Sequence, residues 1–464
     1  AAAATALRAA AQAGFHTLAR ETADWWAEWW RATAAIHVPD PDIELLYYLG
    51  LYKLGGLTPP GSPGPTLQGP WVEDYQIPPW SGDYHLDVNV QECYWPAFAS
   101  NHPETVAPLA ELLEVWRPRL REYARRFLGI DDGLVLPWAM DDRGTSIGGW
   151  WVCLVPNGTM AWTAQVLWLA YRHTLDRGFL RDHVYPALKG AMRVYEAMLE
   201  EDGRGGLRLP VTVSPEWAGN DIASCWGVNS TYELTMVHFL CRALLAASEA
   251  LGVDEADRGR WRDIQARLPL FTTSPDGGCL YLWEGQALTE SHRHHSHLVG
   301  IFPFDLLDYD PGGPHEALVR NSAEAWVYQG MGEWTGWCTA WAAILHARLG
   351  HGDMAALLLG ILRRAFMTRG YASLHDAAFP GLTIHWRRRI MQIEAAMGAA
   401  GAVLEMLAHS RGGTLRLFPA VPAAWDDVAF DGLLADGAFL VSAARRGGRC
   451  GPVTVRSRAG ETLR

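Results

Sequence analysis

The sequence predicts a mainly α chain, a closed toroid of helix pairs with a small β appendage at its C-terminal end. Three observations carry this reading. Apolar-periodic stretches alternate with short Gly- or Asp-marked breaks, in the order helix, break, helix, about six times over. Long irregular segments rich in Gly, Pro, Trp and acidic residues lie between the pairs, at 57–84, 128–156, 202–228 and 269–296. After residue 410 the pattern changes to short alternating runs broken by Gly and Pro. At 464 residues the chain is long for one ordinary domain, but each hairpin of a ring adds its own slice of core, and 49% apolar residues can fill it.

Helices are expected near 5–34, 40–54, 86–98, 103–127, 158–174 and 178–200. Ser230-Thr231-Tyr232-Glu233 reads as a capping box. The helix it opens carries Met236, Val237, Leu240, Leu244 and Leu251 on its apolar face, Gly252 ends it, and Asp254 opens the next. Further helices fall at 313–327 and 335–349, from Asp353 to Phe366 after the Leu349-Gly350 stop, and at 391–408. Thr414–Phe418, Phe439–Val441 and Val453–Val455 are the β-prone runs. The chain divides into a linker helix region (1–34), the helical barrel (35–410) and a β-rich part (411–464). It starts at Ala1 without a basic n-region and apolar h-region, so it is expected to be a segment of a longer protein, cut again at Arg464. Localisation is then hardly legible.

The net charge is −12 without a basic block, which argues against a nucleic-acid partner. No uninterrupted apolar run nears ~20 residues, so no membrane span is expected. The 7 cysteines form no CxxC pair and read as free thiols, leaning to a reducing cytoplasm. The 23 tryptophans are mostly core, yet indole beside Asp, Glu and His suits a sugar site. Irregular segments this long are functional or disordered, and their aromatics argue for ordered loops walling a pocket at one end of the barrel.

Four segments bear chemistry. In Gly82–Gln91, His85, Asp87 and Asn89 alternate with apolar residues at a loop-to-helix junction; they either converge on a ligand or cap the helix. In Val213-Ser214-Pro215-Glu216-Trp217, a carboxyl between a rigid Ser-Pro step and an indole can be desolvated, which raises its pKa toward that of a general acid. Ser291–His297 holds His292, His294, His295 and His297, but Arg293 among them repels a cation, so sugar hydroxyls suit it better than a metal. Glu394 opens an Ala- and Gly-rich helix, where a buried carboxylate is functional or paired with Arg387, Arg388 or Arg389. Two carboxyls on different hairpins, Glu216 and Glu394, are the components glycoside hydrolysis needs.

In order along the chain, these segments resemble glycoside hydrolase family 95, inverting α-L-fucosidases with an (α/α)6 barrel. Gly82-Asp83-Tyr84-His85 with Asn89, Gln91 and Tyr94-Trp95-Pro96 resembles its barrel-entry motif. Asn157–Trp162, Ser214-Pro215-Glu216, His292-Arg293-His294, Thr335-Gly336-Trp337, Gln392-Ile393-Glu394 and Phe418–Pro422 resemble later blocks. The resemblance implies Glu216 as acid, the 394 position as base, and His85, Trp162, Arg293 and His294 as contacts to a terminal sugar. The chain departs from the pattern in three places. Asp87 stands where one of two water-orienting asparagines is usual, Glu394 replaces an aspartate, and Ala395-Ala396 replaces Gly-Asn. Either Glu394 or Asp87 can then be the base, with Asn89 orienting the water, and L-galactose or another related sugar stands beside L-fucose as substrate. No metal or organic cofactor is expected. Phosphorylases or lyases on the same barrel, and a non-catalytic sugar-binding relative, are the rivals.

Overall fold

The computed structural model describes residues 2–72, 75–147 and 158–462. Its helices are α1 (Ala2–Ala13), α2 (Phe15–Ala32), α3 (Pro41–Leu57), α4 (Asn89–Cys93), α5 (Ala107–Leu128), α6 (Thr159–Thr174) and the single turn α7 (Arg177–Phe179). They continue with α8 (Tyr185–Met198), α9 (Thr231–Leu251), α10 (Arg258–Arg267), α11 (Glu316–Tyr328), α12 (Gly336–Arg348), α13 (Gly352–Ala365) and α14 (Glu394–Leu407). The inner ring consists of α6, α9, α12 and α14, which are buried nearly all round, with two irregular members. One is the stretch opening with α4; the other is built on a 3-10 turn at Ser296–Leu298. The amphipathic helices α5, α8 and α13 pack outside them.

The close approach of neighbours explains the composition of α14. A Cβ on Gly50 of α3 would lie 2.4 Å from the Ala396 carbonyl oxygen, and one on Gly398 would lie 2.1 Å from Glu92 Oε1. Small residues are the condition for helices to pack this tightly. The turn chemistry at α9 is half as expected. Ser230 Oγ caps the Glu233 N–H, but the Glu233 carboxylate turns away and accepts from the Val213 N–H at 2.9 Å. Gly252 ends the helix in the left-handed region. By length and composition α9 can cross a membrane, because its few charged residues are spread thinly; here most of it is buried against α8, α10 and α6.

The C-terminal sheet pairs Val428–Ala435 with Phe439–Arg446 and adds Arg449–Cys450 and Thr454–Ser457. Its other edge is Ala35–His37, antiparallel to Val428–Ala435. A piece of the region read as barrel therefore belongs to the β appendage. The expected helix at 86–98 is regular only over Asn89–Cys93, because the chain just before it pairs as a strand, Tyr84–His85 with Ala139–Met140, and the Leu86 N–H continues to the Trp138 carbonyl. The described cysteines are free; Cys153 lies outside the described residues, as do Asn157 and positions 148–156 of one expected loop.

Candidate active site

Tyr84–His85 form a short strand, and the turn residues 86–88 lead from it into α4. Leu86 and Val88 go to the core, while His85, Asp87 and Asn89 line a cavity of about 420 Å³. The helix start at Val88 takes no side-chain cap, so Asp87 and Asn89 are not capping residues.

Glu216 reaches the same cavity from the loop after Thr212–Val213. That strand is fixed by the Glu233 carboxylate at Val213, and Ser214 Oγ meets Ser296 Oγ at 2.5 Å. Glu216 itself has φ 57°, a left-handed conformation costing about 1–2 kcal/mol for a residue with a side chain. The surroundings hold it there. Its Oε2 pairs with Arg293 and lies 3.1 Å from His294 Nε2, and its carbonyl accepts from His292 Nε2 at 3.3 Å. Burial drives the Glu216 pKa up, but Arg293, His294 and His85 outweigh it and hold the carboxyl well below the usual range. The sequence reading expected the opposite, since it could not see that Arg293 turns onto this oxygen. Trp217, read as the desolvating neighbour, packs on His292 instead.

His85 sits between two aspartates, with Nδ1 3.2 Å from both Asp83 oxygens and Nε2 3.6 Å from Asp87 Oδ1. Against the cost of burial, Asp87 and Asp83 lift its pKa to about 10, so the ring is an imidazolium. Asp87 Oδ2 is 3.8 Å from His294 Nε2, and neither Asp87 oxygen has a hydrogen-bond partner among the described residues. Burial raises the Asp87 pKa against the pull of His85 and His294, and nearby Glu216 adds to the rise. One oxygen each of Asp87 and Glu216 and a nitrogen of His85 lie within 4.8 Å of one another. Two carboxyls this close do not both ionise freely. Of the two, Glu216 is the one whose pKa is held down and Asp87 the one whose pKa is raised. The same three residues could reach a metal ion, but the His85 imidazolium and Arg293 already bring positive charge to that spot.

Glu394 begins α14 behind Asn89, whose Nδ2 donates to its Oε1 at 2.6 Å. It is fully buried, and Oε2 has no partner among the described residues. Burial pushes its pKa to about 7, against the Asn89 hydrogen bond. The arginines proposed as its partners are elsewhere, exposed on the loop before α14. A second carboxyl, Glu92, is buried against Gly398, one turn along α14, with both oxygens unpartnered among the described residues. Burial, and then Glu394, raise its pKa well above the ordinary value. The sequence reading passed over Glu92; its one signal was a further carboxyl directly beside the polar residues of the barrel-entry motif.

Trp162 does not reach the cavity. It is 1% exposed and packs among Tyr232, Phe304 and Trp341, because α6 is buried all round and position 162 faces the ring's core. The aromatic lining comes from Trp80 and Trp337. The histidine block also divides. His292 and His294 turn to Glu216, whereas His295 is locked between the Trp326 N–H and the Cys338 carbonyl. The main wall missed in the sequence is the long segment between α13 and α14, which contributes His375, Asp376, His385, Arg387, Arg388 and Gln392. Its length without helical period, and its His, Trp and Arg content, were the available signal.

Known proteins resemble this chain in sequence and in fold. The profile of the glycosyl hydrolase family 95 catalytic domain matches residues 20–407. "Alpha-L-fucosidase 2" of Arabidopsis thaliana is 30% identical over 424 residues, 87% of this chain and 48% of that protein. "Probable alpha-fucosidase A" of Aspergillus niger is 28% identical over 437 residues, 87% of this chain and 52% of that protein. The chain thus spans about half the length of these curated relatives. A human-microbiome protein provisionally assigned as a kojibiose phosphorylase shares the fold at TM-score 0.65 and 11% identity, over 99% of this chain and 72% of its own. A wild-type glycosidase does so at TM-score 0.51 and 14% identity, over 79% of this chain and 98% of its own. The chain belongs to glycosyl hydrolase family 95.

Proposed function

We propose that this family 95 member is an inverting exo-glycosidase that removes a terminal α-L-fucose or a related sugar such as L-galactose. The observation that carries the reading is one polar cavity lined by Asn89, which is backed by the buried Glu394, and by Glu216 with Arg293 and His294. Glu216 protonates the leaving oxygen. Glu394 removes a proton from the water that Asn89 orients, using its unpartnered Oε2. His85, Arg293 and His294 hold the sugar.

The resting ionisation opposes this chemistry, since the acid is charged and the base is only about half ionised near pH 7. Substrate entry must therefore loosen the Arg293–Glu216 pair as the leaving oxygen takes its place. Glu216→Gln should lower turnover of unactivated glycosides by ~10²–10⁴-fold while the fold stays intact by circular dichroism. Near-full activity in that variant would remove Glu216 from the mechanism.

A second reading is a retaining route with Asp87 as nucleophile. It is favoured by the short Asp87–Glu216 approach, within 4.8 Å, and by the two unpartnered oxygens facing the cavity. Inverting pairs need ~6.5–9.5 Å to admit a water, and retaining pairs ~5–5.5 Å. Proton NMR of the first-formed product anomer separates the two routes.

A further inference from the structure

We infer that the mouth of the cavity is a leaving-group subsite for an acidic glycan, one bearing a uronate carboxylate or a sulfate ester, gripped by Arg387 and Arg388. The inference rests on the glycosidase reading for the phrase leaving group; the anion site itself stands on the geometry.

Charge in the cavity is sorted by depth. The buried carboxyls Asp87 and Glu216 line its inner part, and the one arginine with them, Arg293, is consumed by Glu216. At the mouth the order reverses. Asp376 is taken by His375 Nδ1 at 2.6 Å and by the Arg388 backbone N–H at 2.9 Å, and Glu333 is taken by His385 Nε2 at 3.0 Å. Arg387 and Arg388 line the cavity beside them, and among the described residues neither guanidinium is ion-paired. In a chain of net charge −12, two adjacent unpaired arginines at a cavity mouth mark a place kept for an outside anion.

The rest of the mouth suits a sugar. Arg387 lies over the Trp386 ring at 5.7 Å, and Trp80 and Ile384 line the same opening. An aromatic face receives a pyranose ring while a planar guanidinium fork takes two oxygens of a carboxylate or sulfate. A neutral aglycone would leave both forks without a partner.

The test uses isothermal titration of the full chain and of the R387A/R388A double variant, with folding checked by circular dichroism. The probes are tri-galacturonate, a sulfated neutral galactan oligosaccharide and uncharged cellotriose, at about 20 and about 200 mM salt. The expected result is at least ~10-fold tighter binding of one or both acidic probes than of cellotriose, reduced by a similar factor in the variant and by salt. The two acidic arms tell carboxylate from sulfate. Equal affinity for acidic and neutral probes, or acidic binding untouched by the double substitution, overturns the inference. An aryl α-L-fucoside assay run alongside keeps the two readings apart. Hydrolysis without acidic preference sinks only this inference, and acidic binding without hydrolysis of any glycoside sinks the glycosidase reading instead.

Discussion

Asn89→Leu tests the proposed ionisation of the site, because it removes one hydrogen bond while keeping volume and excluding water. The Asn89 donor stabilises the charged form of Glu394 at 2.6 Å. A hydrogen bond to a charged group contributes about 1.5–3 kcal/mol, and one pH unit corresponds to about 1.4 kcal/mol. Without the donor, Glu394 holds its proton more tightly, and its pKa rises from about 7 by about 1–2 units. The sign of the kinetic effect depends on Glu216. Since Glu216 lies well below its ordinary value, the productive state, with Glu216 protonated and Glu394 ionised, is the minor form of the singly protonated pair. Loss of that single proton occurs at the higher pKa, so in the free enzyme Glu394 sets the alkaline limb of kcat/KM. Asn89→Leu should therefore shift the alkaline limb up by about 1–2 units and lower the plateau by about 10–100-fold, beyond any loss in water placement. The assay is kcat/KM against pH on one aryl glycoside. A shift of the acid limb instead would show that Glu216 carries a raised pKa. If neither limb moves, Glu394 is not the titrating base.

Glu394 also makes stability depend on pH. Its folded-state pKa of about 7 lies above the ordinary 4.5, so its contribution is most favourable below pH 4.5 and is lost as pH rises to about 7. The loss is about 3 kcal/mol. Glu394→Gln should thus gain in Tm relative to the unaltered protein between pH 5 and pH 8; a constant difference across that range contradicts the burial of a charge. Trp162→Ala should cost about 3–5 kcal/mol through loss of core packing, seen as a lower Tm. Trp162→Phe should leave KM unchanged, and a several-fold rise in KM would return Trp162 to the sugar site.

How much of this was legible depends on which forces act locally. The ring could be read because each hairpin declares its own apolar period and its own stops, as at Gly252 and Gly350. The site segments were visible as polar residues alternating with apolar ones. Their relations were not visible, because each depends on chain-distant partners. Arg293 turning onto Glu216, Asn89 onto Glu394 and the Glu233 carboxylate onto Val213 join residues on different hairpins. Sequence also could not show that the site lies where the inner ring is least regular. The Asn89–Cys93 and Ser296–Leu298 turns are too short to fill the ring with their own backbone, and the segments leading into them deliver His85, Asp87, Arg293 and His294. Trp162 misled for the converse reason. It sits on a complete helix, whose residues beside the motif point into packed core.

Asp87 is the departure in sequence whose chemistry a single substitution can decide. It stands where the resembled family carries asparagine, and a new carboxylate beside Glu216 reads as an added base or nucleophile. In the structure it is buried with its pKa raised, beside a Glu216 whose pKa is lowered. A protonated aspartate is close to isosteric with asparagine and offers one donor and one carbonyl-type acceptor. If that is how Asp87 works, Asp87→Asn restores the amide while preserving those contacts, and kcat should stay within about 10-fold of the unaltered enzyme. His85 then titrates unchanged by NMR in that variant, whereas a drop in its pKa would show that Asp87 is ionised and holds it up. If Asp87 is instead the nucleophile of a retaining route, the amide cannot attack carbon, and kcat should collapse by at least ~10³-fold. The two outcomes are far enough apart that one substitution, assayed with the product anomer, decides which carboxyl works opposite Glu216.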